Sequence, residues 1–185
     1  MTNPTAVDTT SEPTAGRTTR RMLLGLGVAG AALAASRSVS AGAFPDQAGL
    51  ANFVIGAELA ARDLYRAAPS DMGAEGLPEV LARHHDAYAE RISGLTGIAA
   101  DTPYDQLLSG AMDAFSSGDI NAAIDLENSL ATTHAALLGE TDDAPLLRAL
   151  ASIVSAESRH AAVLAAESDA DLDAIFTNPA SLPEG

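Results

Sequence analysis

Residues 146–166 read LLRALASIVSAESRHAAVLAA, an apolar helical stripe with one carboxylate and one imidazole set into it. Leu146, Leu150, Ile153, Val154, Ala161 and Leu164 recur at helical spacing. At roughly 100° of rotation per residue, Glu157 falls near the centre of that stripe, and His160 lies on it one turn further on. A carboxylate buried there without a partner is costly and prefers to be protonated. A bound cation would compensate it and would also use the histidine.

Three further segments repeat the pattern. The first, from about Asp46 to Ala67, places Leu50, Val54, Ala57, Ala61, Leu64 and Tyr65 on one side, with Glu58 within roughly 60° of Val54, Ala61 and Tyr65. The second, from about Leu77 to Leu95, carries Leu77, Val80, Leu81, Tyr88, Ile92 and Leu95, and His84 and His85 straddle the line from Leu81 to Tyr88. One of those two histidines therefore belongs at the edge of the stripe. The third, from about Asp119 to Leu138, is opened by Ser117-Gly118-Asp119 and closed by Gly139. It centres Glu127 among Ile120, Ala123, Ile124, Ala131 and Leu138, with His134 two turns on. The segment quoted first begins near Pro145, a favoured first-turn residue.

Tyr104 to Phe115 reads as a short extra helix, with Thr102 as N-cap and Pro103 in its first turn. It makes the second connection the long one. Short connections join antiparallel neighbours, and a long one lets the chain cross from end to end. The expected fold is all-α: a four-helix bundle of two antiparallel hairpins joined by a long crossover that contains the short helix.

Carboxylate oxygens and imidazole nitrogens on facing helices suit iron, manganese or zinc. The candidate metal ligands are Glu58, His85, Glu127, His134, Glu157 and His160. Plainer readings stand beside them. Glu58 can pair with Arg62 four residues on, and His134 can be a core histidine, or else adds a nitrogen near Glu127. Tyr65 and Tyr88 read first as core residues and second as hydrogen-bond donors to the site. No basic residue lies three or four positions from Glu127, and Ile153 and Ala161, four residues either side of Glu157, are apolar.

With these residues in place, the chain resembles the ferritin-like superfamily over about Gln47 to Glu167. That family binds a di-metal centre with one Glu from each of two helices and Glu-x-x-His from each of the other two. The resemblance implies Glu58 and Glu127 as the single carboxylates and Glu157 with His160 as one Glu-x-x-His. The other is incomplete, because Leu81 and Ala82 stand three residues before His84 and His85. Asp86 and Glu90 fall on the wrong side to replace the missing carboxylate. The sequence thus leaves open whether the protein holds two ions, one or none. The resemblance implies an iron or manganese protein that reacts with oxygen or peroxide if redox-active. The contrasting reading is a metal-free bundle serving as a binding or structural module of the cell envelope.

The N-terminal residues 1–43 resemble a twin-arginine signal peptide: Arg20-Arg21, a soft apolar run from Met22 to Ala35, and a small-residue cleavage site at Ala41-Gly42-Ala43. That apolar run is shorter than the ~20 residues a membrane span needs, so export without stable membrane insertion is expected. The domain then covers 44–168, followed by an acidic tail, 169–185, with a short helix at most, whose Ile175 and Phe176 are expected to pack on the bundle. Removing the leader takes away four Arg, one Asp and one Glu, moving the net charge from −15 to −17. Nucleic acid is an improbable partner at that charge, and a homodimer is compatible with the sequence. Lys and Cys are both absent. An exported domain without disulfides is held by its core or by a bound ion.

Overall fold

A computed structural model of the chain describes residue 44 and residues 46–168; the expected leader and acidic tail lie outside them. The described residues form five helices, α1 Gln47–Ala67, α2 Leu77–Thr96, α3 Asp105–Ser116, α4 Ile120–Leu137 and α5 Ala144–Glu167, and no strand. None of these helices is long and apolar enough to cross a membrane.

Local sequence chemistry sets most of the ends. The carboxylates of Asp46, Asp119 and Asp143 accept from backbone N–H groups in the first turns of α1, α4 and α5, supplying partners for donors the helix cannot satisfy itself. Helix α2 lies between two left-handed glycines, Gly76 at φ 77° and Gly97 at φ 73°, with Pro78 in its first turn.

Two expected ends differ. Helix α3 starts at Asp105, after Tyr104, and Thr102 does not cap it, because its hydroxyl donates to Asp101. The cause is a tether: the Tyr104 N–H donates to the Gly56 carbonyl at 2.7 Å, holding this stretch against α1. A Cβ on Gly56 would stand 3.3 Å from the Thr102 carbonyl oxygen, so the close approach depends on a glycine inside α1. Gly139 does not close α4 in a left-handed turn; Leu138 continues the helical geometry, and the N–H groups of Gly139 and Glu140 bond back to Ala136 and Leu137.

The heaviest packing is α1 against α2 and α4 against α5, with α3 lying on α1 and α4. Two apolar clusters form. One gathers Leu50, Val54 and Ile55 of α1, Ala89 and Ile92 of α2, Leu137 of α4, and Leu146, Leu150 and Ile153 of α5. The other gathers Ala61, Leu64 and Tyr65, then Leu81 and Ala82, Phe115 of α3, Ala123, Leu126 and Leu130, and Leu164. The clusters are met in opposite order along α1 and α2, and again along α4 and α5, so each pair runs antiparallel. Burying each large aliphatic side chain in them contributes ~1.5–3 kcal/mol. Along α2, α4 and α5, His85, His134, Glu157 and His160 fall between the residues of the two clusters, while Glu58 sits where the clusters meet on α1 and Glu127 lies between Leu126 and Leu130 of the second.

Candidate metal centre

Glu58, His85, Glu127, His134 and Glu157 are all 0% exposed, and His160 is 7% exposed. No other charged or histidine side chain among the described residues is buried in this way. They form two groups that can hold a metal ion: His85, Glu127 and His160 in one, and Glu58, His134 and Glu157 in the other, each offering donor atoms within 4.8 Å of one another.

In the first group, Glu127 is the hub. Its Oε1 accepts from the Tyr65 hydroxyl at 2.6 Å and lies 3.1 Å from His85 Nε2, while its Oε2 lies 3.2 Å from His160 Nδ1. The Tyr65 ring stacks on His85 at 5.5 Å. His160 Nε2 reaches His84 Nδ1 at 2.9 Å, which extends this group to the surface, since His84 is exposed. Helix rotation is the reason for that division: of the two neighbouring histidines, His85 points inward and His84 sits at the edge.

The second group is joined to the first by one contact, Glu58 Oε2 to His85 Nδ1 at 2.7 Å. His134 Nδ1 lies 2.9 Å from Glu157 Oε1 and 3.6 Å from Glu58 Oε1. Glu58 Oε1, His134 Nε2 and Glu157 Oε2 are buried and have no hydrogen-bond partner. Buried polar atoms are satisfied in the great majority of cases, so three orphans in one group call for an explanation.

Several sequence readings are settled by this geometry. All six candidate residues come together, but Glu157 and His160 fall in different groups although they are one turn apart. His134 stands with Glu157 and Glu58, not beside Glu127. The signal was there to be read: seven residues of helix rise about 10.5 Å, so Glu127 and His134 face different levels of the bundle interior. Because α5 runs antiparallel to α4, Glu127 meets the later residue, His160, and His134 the earlier one, Glu157. Arg62 does not pair with Glu58; it bridges Asp63 and Asp86 at 2.7 and 3.0 Å. Asp86 is thereby turned away from the site, as its rotation implied. Tyr65 is more than core, because it donates to Glu127; Tyr88 is half-buried, its ring 6.3 Å from that of His160.

Electrostatics follow from burial and pairing. Burial alone would lower His85, but the carboxylates of Glu127 and Glu58 outweigh it and hold the imidazole up at about 10. His134 is raised to about 9 in the same way, burial being overcome by Glu157 and Glu58. For Glu127, burial is outweighed by His85 and His160, which hold the carboxyl down at about 2. Glu157 goes the other way: burial pushes it up to about 7 despite His134. Burial and the adjacent Glu127 carboxylate push the Tyr65 hydroxyl well above its ordinary range. Without an ion, protons on His85 and His134 supply the positive charge that these carboxylates require. A metal ion would have to displace them, since a coordinating imidazole is neutral.

The donor set, three carboxylates and three imidazoles from four helices, fits a first-row divalent ion, and the orphaned atoms provide free ligand positions. No protein-family model, curated protein or solved structure matches this chain.

Proposed function

We propose that this chain is an exported ferritin-like protein that binds iron, manganese or a similar transition metal inside a four-helix bundle. In this reading α1 with α2 and α4 with α5 are the two hairpins, and the crossover that joins them contains α3. The observation that carries it is the convergence of six buried Glu and His side chains from those four helices into two linked groups. Burying so many ionisable groups is unfavourable unless they are paired or coordinate an ion. The twin-arginine leader read in residues 1–43 suits a protein that loads its ion before export.

The roles of the side chains follow from their contacts. Glu127 and Glu58 are oriented through His85, and Glu127 also through the Tyr65 hydroxyl, which fixes carboxylate rotamers before an ion arrives. The flanking clusters exclude water, which strengthens every electrostatic interaction in these groups. A redox-active ion would supply electron transfer to a small oxidant such as oxygen or peroxide.

A metal-free module of the cell envelope is the second reading. It is favoured by the hydrogen bonds already made around Glu127 and opposed by the three orphaned atoms. Metal analysis of protein purified without chelator separates the two. Stoichiometric iron, manganese or zinc is the expected result; uptake well below one equivalent, before and after Fe(II) titration, would remove the metal-binding reading.

A further inference from the structure

We propose that the protein binds a single divalent cation, held by Glu58, His134 and Glu157, and that His85, Glu127 and His160 form a protein-only network that positions this site. The inference rests on the metal-binding reading above and narrows it to three residues.

Atom-by-atom satisfaction separates the groups. The first has six polar side-chain atoms, and every one has a partner: both Glu127 oxygens, both His85 nitrogens, and both His160 nitrogens, through Tyr65, Glu58, His84 and one another. The second also has six, and three of them have none. Those three are Glu58 Oε1, His134 Nε2 and Glu157 Oε2, one on each residue, and they are the only such buried side-chain atoms among the described residues. An ion entering the first group must break bonds that already exist. In the second it meets buried polar atoms that have no partner to give up.

Donor chemistry agrees. Two carboxylates balance the charge of a dication, whereas the first group offers one carboxylate and two imidazoles. A set of two oxygen residues and one nitrogen residue suits Mn(II), Fe(II) or Zn(II) and disfavours softer ions such as Cu(I). Three protein ligands leave coordination positions open. His85 then acts as a positioning residue: its Nδ1 lies 2.7 Å from Glu58 Oε2 and fixes that carboxylate with Oε1 free.

The test uses the full chain, stripped with chelator and titrated with Co(II), whose visible absorption reports its ligands. One Co(II) per chain is expected, with affinity falling more than about 100-fold in His134→Ala and in Glu157→Gln, a larger loss than removal of an outer partner causes. His160→Gln should still take up one Co(II), with affinity reduced by no more than the ~10–100-fold that loss of an outer partner costs. Far-UV circular dichroism checks that the variants fold. Anomalous scattering from wild-type crystals soaked in Co(II) locates the ion without any variant. A peak among Glu58, His134 and Glu157 supports the assignment. A peak among His85, Glu127 and His160, or two ions per chain, overturns it and leaves the metal-binding reading standing. No uptake at all overturns both.

Discussion

The two buried groups are built from the same residue types and share α4 and α5, yet one is a closed network and the other is not. Around Glu127 every polar atom is engaged, and the chain of contacts runs out through His160 to the exposed His84. Around Glu157 the residues are sealed from solvent and half their polar atoms are unpaired. Residue type alone therefore does not mark a ligand-binding group. What distinguishes the groups is whether the protein already supplies the partners.

The largest effect that can break this comparison is removal of the hub. Glu127→Ala leaves His85 and His160 without their shared carboxylate, and taking away one partner of a buried charged pair costs about 3–5 kcal/mol. Urea unfolding of the chelated protein should show that loss. In Glu157→Gln the chelated protein should change by only about 1 kcal/mol, because an amide can still accept near His134 Nδ1. If the two variants lose equal stability without metal, the distinction between a closed and an open group fails.

Metal addition should close most of that gap. An ion present at a hundredfold excess over its dissociation constant stabilises the folded state by about 2.7 kcal/mol. Wild type should gain that increment, measured as a rise in melting temperature on adding Mn(II) or Zn(II), and Glu157→Gln should not. A full metal-dependent rise in Glu157→Gln would show that the ion sits elsewhere.

Dependence on pH gives a third test, with opposite signs for the two states of the protein. His85 and His134 are raised from 6.5 to about 10 and about 9, so their contribution is complete below pH 6.5 and is lost as pH rises through those values. Glu157, raised to about 7, favours the fold in its neutral form, which is lost as pH rises through 7. Glu127, held at about 2, contributes above its ordinary 4.5 and loses that contribution as pH falls toward 2. The chelated protein should therefore be most stable in mild acid and weaken from pH 6 to pH 8. The increment due to metal should grow over the same range, because binding releases protons. Urea midpoints at the two pH values, with chelator and with Zn(II), read both slopes; a chelated protein that strengthens toward pH 8 contradicts the assignment of charged histidines.

Most of the helical framework was legible in the sequence because its signals are local. Asp119 stands where a capping oxygen is needed, Pro145 lies in the first turn of α5, and Gly97 ends α2 as its position implied. The inward set was legible too, since rotation along a helix depends only on position. What could not be read was how the faces meet. The start of α3 is displaced by a bond between Tyr104 and Gly56, which are 48 positions apart. The separation of Glu157 from His160 depends on the register of α5 against α4, and the bond from Tyr65 to Glu127 on two helices that are not sequence neighbours. Rotation tells which residues face inward, and only packing tells which of them meet.

A pair of outer substitutions gives the smallest and sharpest test of the closed network. Tyr65→Phe removes a buried donor from Glu127 Oε1 and keeps the ring that stacks on His85, so the charge-assisted bond is lost with little change in packing; about 1.5–3 kcal/mol should go. His84→Ala also deletes a partner, that of His160 Nε2, but at the protein surface, where His160 is 7% exposed and water can replace the lost nitrogen. Its cost should stay within about 0.5 kcal/mol, as for most surface changes. The two bonds look equivalent in a count of partners, and solvent access alone predicts that they differ. If urea unfolding gives His84→Ala a loss as large as Tyr65→Phe, then His84 belongs to the network as fully as Tyr65 does, and the closed group extends to the surface of α2.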